Sequence, residues 1–279
     1  MALSVRAEPE QGSERQWAAR LILSDRWEDV AEALGVVHDG FVQAGYMPRM
    51  PSGRRMILPY LAEGTAFFVA RRGERTVGAA ALIPDSVFGL PADRGFVEEI
   101  DALRAEGRPI LECGSLVVAA AWRRQSALIV AQLMAGAARV LAEHPEARVV
   151  VSVAPSAERF YGTLFGFRRI AEPRPLFGPP ALLLETDNAR VQENVSRGGT
   201  APQRLLAELM DPARPHWLED RRGGEPWPTG PVTELLAEQG CLEPLFGQLG
   251  VLSRRLGWWP MPAPALAGDA ERIASVGRG

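Results

Sequence analysis

Glu112 is a carboxylate set inside an apolar run, ILECGSLVV at residues 110–118. Strand alternation puts it on one face with Ile110, Gly114, Leu116 and Val118. A carboxyl desolvated in such a place has its pKa raised toward the range useful for a general base. The other reading is a structural ion pair with one of the chain's many arginines. Cys113 points to the opposite face and reads as a small core residue rather than a nucleophile. Arg49, Arg54 and Arg55 lie in a stretch with two prolines that reads as a loop or mobile lid. There a guanidinium can grip a carboxylate bidentately, touch an acidic partner, or simply stay solvated. Arg123 and Arg124, at a turn between a strand and a helix, face the same choice.

What is missing narrows the chemistry further. The 31 basic residues are all arginine. Without lysine there is no Schiff base to a carbonyl or pyridoxal, no Walker-type phosphate loop and no kinase-like site. No GxSxG, HExxH or GxGxxG follows a strand. His38, His144 and His216 are spread too widely for a zinc cluster or a triad, so no metal is expected. Cys113 and Cys241 form no CxxC pair, which fits a reducing cytoplasm. A net charge of −3 removes the global argument for nucleic acid. Residues 1–20 lack the apolar centre of a secretory signal, and no run approaches the roughly 18 apolar residues of a membrane span. These features predict a cytoplasmic protein without a transmembrane segment.

The elements that must hold these residues can be laid out from periodicity. Residues 1–16 are polar and predict a loose tail. A strand at 21–23 leads into a helix to about residue 44, capped by Ser24 or Asp25 and ended by Gly45. A hairpin joins strands at 66–70 and 76–83. A second helix starts near residues 89–91 and carries Phe96, Ile100 and Leu103. The strand containing Glu112 follows, then a nearly all-round apolar helix at 124–141, which must be buried. A strand at 149–153, a helix at 156–164 and strands at 167–170 and 182–184 complete the order β-α-β-β-α-β-α-β-α-β-β. From residue 194 the composition shifts to glycine, proline and tryptophan, with helical patches at 202–209, 232–238 and 242–256 and a rigid connector at 223–228. Trp217, Trp227, Trp258 and Trp259 read as covers for an apolar face.

ECGSLVV at 112–118, WRRQSAL at 122–128, Pro155 and FYGTLFGF at 160–167 together resemble the core of the GNAT acyltransferase superfamily. AGY at 44–46, GLPAD at 89–93, EEIDALR at 98–104 and Glu112 are similar to the long-chain N-acyl amino acid synthases, relatives of the acyl-homoserine-lactone synthases. The resemblance implies an α/β fold with a mixed, mostly antiparallel sheet flanked by helices. It covers residues 17–193 as an acyltransferase domain, leaving 194–279 as a helical extension. It also implies transfer of a fatty acyl group from acyl carrier protein, or less often coenzyme A, to an amine. Tyr161 occupies the superfamily's general-acid position, its other reading being a core tyrosine packed on Phe160 and Phe165, and the backbone amides of Leu116, Val117 and Val118 occupy its thioester-binding strand. Arg123, Arg124 and Ser126 fall on the donor side. Members that use acetyl-CoA carry small residues before the central helix, where amides and the helix dipole hold a pyrophosphate. Ser126 and Leu128 replace them here, which favours a carrier-protein donor.

The expectation is therefore an N-acyltransferase with no permanent cofactor, moving a medium or long acyl chain from acyl carrier protein to an amino acid or similar amine. Glu112 would be the base and Tyr161 the acid, with Arg49, Arg54 and Arg55 on the acceptor. An acetyl-CoA-dependent N-acetyltransferase and a catalytically inactive acyl-binding protein are the rival readings. A long apolar tunnel favours the first, and a short pocket beside a phosphate-sized nest favours acetyl-CoA.

Overall fold

In the computed structural model the described residues are 19–176, 178–211 and 217–241. The expected tail at 1–16, the helix expected at 242–256, Trp258 and Trp259 lie outside them. Eight strands run in chain order: β1 (Arg20–Ser24), β2 (Ala66–Arg72), β3 (Arg75–Pro84), β4 (Ile110–Val118), β5 (Arg148–Val153), β6 (Arg168–Pro175), β7 (Pro180–Asp187) and β8 (Leu218–Arg221). The helices are α1 (Trp27–Ala44), α2 (Asp93–Ala105), α3 (Ser126–Leu141), α4 (Glu158–Phe165), α5 (Asn188–Ser196), α6 (Ala201–Met210) and α7 (Thr229–Glu238). The strands form one sheet in the order β6-β7-β5-β4-β3-β2-β1-β8. Pairing is antiparallel except for β4 with β5 and β1 with β8, so the mixed, mostly antiparallel sheet is as expected.

Helices cover both faces, and the central strands are therefore apolar on both sides. Leu21, Leu23, Phe68 and Leu82 meet α3, α4, α5 and α6 on one face, while Ile22, Phe67, Val69 and Ile83 meet α1, α2 and α7 on the other. α3 is almost wholly buried, as its all-round apolar sequence requires. It lies close enough that a Cβ on Gly136 would stand 2.7 Å from Leu21 and 2.9 Å from Phe68.

Three expectations need correction. Neither Ser24 nor Asp25 caps α1: Arg26 is the N-cap residue and makes no side-chain cap. The Asp25 carboxylate instead accepts the backbone N–H groups of Gly223 and Gly224. The stretch at 47–55 is a loop, one of the two expected readings, but it is pinned to two helices and is not the mobile lid of the other. His38 Nε2 accepts the Met50 N–H at 3.0 Å, Glu238 accepts that of Ser52 at 2.9 Å, and Leu34 O accepts that of Arg55 at 3.1 Å. The chain after residue 193 is also not purely helical. The 193/194 division falls inside α5, and β8 adds a parallel edge strand to β1. Trp217 is buried beneath the α3 face, and Trp227 packs on Trp27 and Phe67 while its indole N–H donates to Asp25 O.

Candidate active site

β4 and β5 pair only from Ile110↔Arg148 to Glu112↔Val150, although β4 continues to Val118 and β5 to Val153. Beyond Glu112 the two parallel strands therefore diverge, and peptide groups that a continued ladder would satisfy are left facing the gap. A cavity of about 100 Å³ occupies this fork. Gly114 and Ser115 wall it from β4, Ser152 and Val153 from β5 and Ala154 just beyond it, with Phe41, Tyr46 and Leu176 closing it on the apolar side. Sites that enclose a whole small ligand run to roughly 300–1,000 Å³, so this volume suits a reacting centre and falls far short of the long apolar tunnel expected for a fatty acyl chain.

Glu112 sits at the crotch of the fork and is 2% exposed. Its Oε2 accepts the Ala92 N–H at 2.8 Å. Burial pushes the carboxyl up to about 8, since ionisation is disfavoured away from water, and the negative charge of Asp93 adds to this. The Ala92 N–H and the Arg55 guanidinium oppose the shift. The Ser152 hydroxyl also favours the charged form, although its oxygen completes no hydrogen bond among the described residues.

Arg55 enters the same cavity, 5% exposed, with its guanidinium 4.5 Å from the centre of the Phe41 ring. Its Nη1 donates to Tyr60 Oη at 2.9 Å, and that hydroxyl is hydrogen-bonded to Ser115 Oγ. Arg49 and Arg54 do not join it. Arg49 lies 3.6 Å from the exposed Asp39, and Arg54 donates to Ala31 O on the surface of α1.

Ser115 marks a bulge that the sequence pattern did not reveal. Between the pairs Ala79↔Val117 and Ala81↔Gly114, β3 has one residue and β4 has two. Ser115 takes φ 55°, the one non-glycine positive φ among the described residues. The extra residue reverses the alternation. Leu116 and Val118 consequently pack with Cys113 against the α3 face and not beside Glu112 as expected. Val117 turns toward α1, so close to Gly40 that a Cβ there would stand 2.3 Å from it.

Tyr161 is also on the α3 side, packed among Phe160, Phe165 and Phe167. Burial raises its phenol well above the ordinary value, so a phenolate is disfavoured there. The expected base and acid thus face opposite sides of the sheet, and only Glu112 lines the cavity. Burial likewise pushes the Cys113 thiol up to about 12, which leaves it unreactive. Arg123 and Arg124 are exposed on the 3-10 turn Ala120–Gln125 ahead of α3, and Ser126 is half-buried at the start of α3. Arg72, not singled out in the sequence, lies 5.2 Å from the Trp122 ring beside them.

Another group missed by the sequence reading positions Glu112 from behind. Arg104 donates to both oxygens of Asp85 and to both oxygens of Asp93, at 2.7–2.8 Å. Asp93 in turn accepts the Leu90 N–H at 2.7 Å. This fixes the 89–93 turn, whose Ala92 N–H meets the carboxylate. GLPAD and Arg104 carry the signal in the sequence, but their meeting is tertiary.

A family model described as N-acyl amino acid synthase FeeM matches residues 32–187, from within α1 to the end of β7. Among solved structures the chain is similar to FeeM, an N-acyl amino acid synthase from uncultured soil microbes. The identity is 22%, covering 69% of this chain and 99% of that one, with TM-score 0.52. It is also similar to the AHL synthase LasI, at 12% identity over 63% of this chain and 94% of that one, with TM-score 0.51. No curated protein sequence matches. The structural likenesses show that the chain shares the fold of these two synthases. Among the described residues no helix is long and apolar enough to cross a membrane.

Proposed function

Since the chain belongs to the N-acyl amino acid synthase FeeM family, a family of acyltransferases, we propose that it transfers a medium- or long-chain acyl group from acyl carrier protein to the amine of an amino acid or similar acceptor. The observation that carries this reading is the buried Glu112 carboxyl at the fork, raised to about 8. Aminolysis of a thioester needs a neutral amine, and a carboxylate of that basicity takes an ammonium proton far better than an ordinary glutamate. The freed amine attacks the thioester carbonyl held in the gap between β4 and β5. Of the β4 peptide groups beyond Glu112, the N–H of Val117 falls on the β3 side of the ladder, and those of Leu116 and Val118, on the β5 side, serve the developing oxyanion. Arg55 supports an amino-acid acceptor, because a guanidinium stacked on Phe41 is pre-oriented for a carboxylate.

Arg123 and Arg124, with Ser126 at the start of α3, serve the donor: two exposed guanidinium groups suit an acidic carrier protein and its phosphopantetheine. The protein works in the cytoplasm, where the unpaired Cys113 and Cys241 stay reduced. The test offers the purified protein long-chain acyl carrier protein and, separately, acetyl-CoA, each with mixed amino acids, and follows thiol release and N-acyl products by mass spectrometry. Products only with the carrier support the proposal. Products with acetyl-CoA instead move the protein to the small-acyl reading, and silence with both favours an acyl-binding role.

A further inference from the structure

The base reading of Glu112 leaves one proton unassigned, the one that must reach the departing thiolate. Tyr161 lies across the sheet, so the donor is sought among the cavity's own walls. There Ser115 combines three features. It lines the same fork as Glu112 and Arg55. It is held at φ 55°, a conformation costly for a residue with a Cβ. Its hydroxyl is also the end of a hydrogen-bonded chain, because Arg55 Nη1 donates to Tyr60 Oη and Tyr60 bonds to Ser115 Oγ. The first link of that chain favours one direction for the second, in which no hydroxyl proton is wasted. With an Arg55 N–H occupying a lone pair of the Tyr60 oxygen, the phenolic proton is placed to go to Ser115 Oγ. The Ser115 proton is then left for the cavity.

We infer that Ser115 is the general acid of the reaction, protonating the leaving sulfur, with Tyr60 as the relay residue behind it. This rests on the proposed aminolysis. Glu112 passes the ammonium proton on to water, and the neutral amine nitrogen then forms its bond to the acyl carbon and gives a second proton to Glu112. The tetrahedral intermediate collapses, the C–S bond breaks with its electron pair on sulfur, and Ser115 Oγ–H supplies the proton of the free thiol. Tyr60 replaces the Ser115 proton, and the Arg55 guanidinium faces the resulting negative oxygen. Water then takes the proton from Glu112 and returns one to Tyr60, so the net change is amine plus thioester to amide plus thiol. The strained φ acquires a reason: the bulge turns Ser115 toward Tyr60 and the fork, whereas regular alternation would continue the ladder.

The test varies the leaving group. Wild type, Ser115→Gly and Tyr60→Phe are each given the same acyl chain as an alkyl thioester of pantetheine and as an aryl thioester of nitrothiophenol, whose thiolate leaves without a proton. Ser115→Gly is chosen because glycine accepts a positive φ without strain, so its melting temperature should be no lower than wild type. The expected result is a loss of about 100-fold or more in kcat with the pantetheine ester, the lower end of general-acid effects. The loss shrinks to a few-fold with the aryl ester. Tyr60→Phe shows the same leaving-group dependence with a smaller loss. Equal losses on both esters, or none on either, overturn the assignment while leaving the Glu112 reading intact. Wild type inert toward both esters overturns the aminolysis reading and this inference with it.

Discussion

Replacing Glu112 by Gln separates its chemistry from its burial, because the amide keeps the shape and an acceptor for the Ala92 N–H but cannot ionise. The folded protein binds the Glu112 proton more tightly than the unfolded chain does, with a pKa of about 8 against 4.5. Between these values the folded state carries more protons, so stability must fall as pH rises. The full contribution is present below about pH 4.5 and is lost by about pH 8. At about 1.4 kcal/mol per pH unit, the gap corresponds to ~5 kcal/mol, an upper figure because water entering the fork relaxes part of it. Urea unfolding followed by tryptophan fluorescence at pH 5, 7 and 9 reads the difference. Wild type and variant should lie within about 1 kcal/mol at pH 5, and the variant should be several kcal/mol more stable at pH 9. The same substitution should lower kcat/KM by about 10²–10⁴, the range of general-base effects. In wild type, activity should climb through about pH 8. Parallel stability curves for the two proteins from pH 5 to 9 would refute the claim that burial sets this carboxyl's basicity.

Other residues give sharper positional tests. Arg55→Leu should raise KM about tenfold or more for an amino acid but little for the corresponding amine without its carboxylate, since a charge-assisted pair is worth roughly 1.5–3 kcal/mol; initial rates on the two acceptors check this. Arg104→Leu leaves Asp85 and Asp93 without their shared cation. It should cost about 2–3 kcal/mol by chemical denaturation, less than a fully buried pair because the guanidinium is 30% exposed. Unneutralised Asp93 should also push Glu112 upward, moving the rising limb of the rate profile to higher pH. Gly136→Ala sets a helix-propensity gain of ~1 kcal/mol against overpacking of about 1–3 kcal/mol. The fully buried Leu21 and Phe68 cannot retreat, so a net loss is expected in thermal unfolding.

Most of the architecture was legible because it rests on local periodicity. The all-round apolar α3, the hairpin between β2 and β3, and the Gly45 that ends α1 at φ 76° each announce themselves within a single short stretch of sequence. β8 and α5 did not: β8 has no apolar pattern of its own, and α5 has only the pair Val191 and Val195. β8 reads LEDR and gains its place from the open edge of β1. The 47–55 stretch looked loose for a similar reason: its partners His38, Leu34 and Glu238 come from two helices, one of them nearly two hundred residues away.

At the site, the composition of the cavity was more legible than its geometry. Glu112 stands out as a charge inside an apolar strand, and a strand period of two was enough to bury it. The same period fails three residues later, where the bulge at Ser115 reverses which side chains face the fork. Nothing in the letters CGS distinguishes that turn from ordinary strand, because the bulge is a property of the register with β3. Register depends on both strands, so a positive φ at a serine is visible only once they are paired. A local rule broken without local cause marks a place where something other than folding sets the conformation. Here the breach and the buried base share one cavity, so a variant that restores regular alternation at 115 should gain stability at the expense of catalysis.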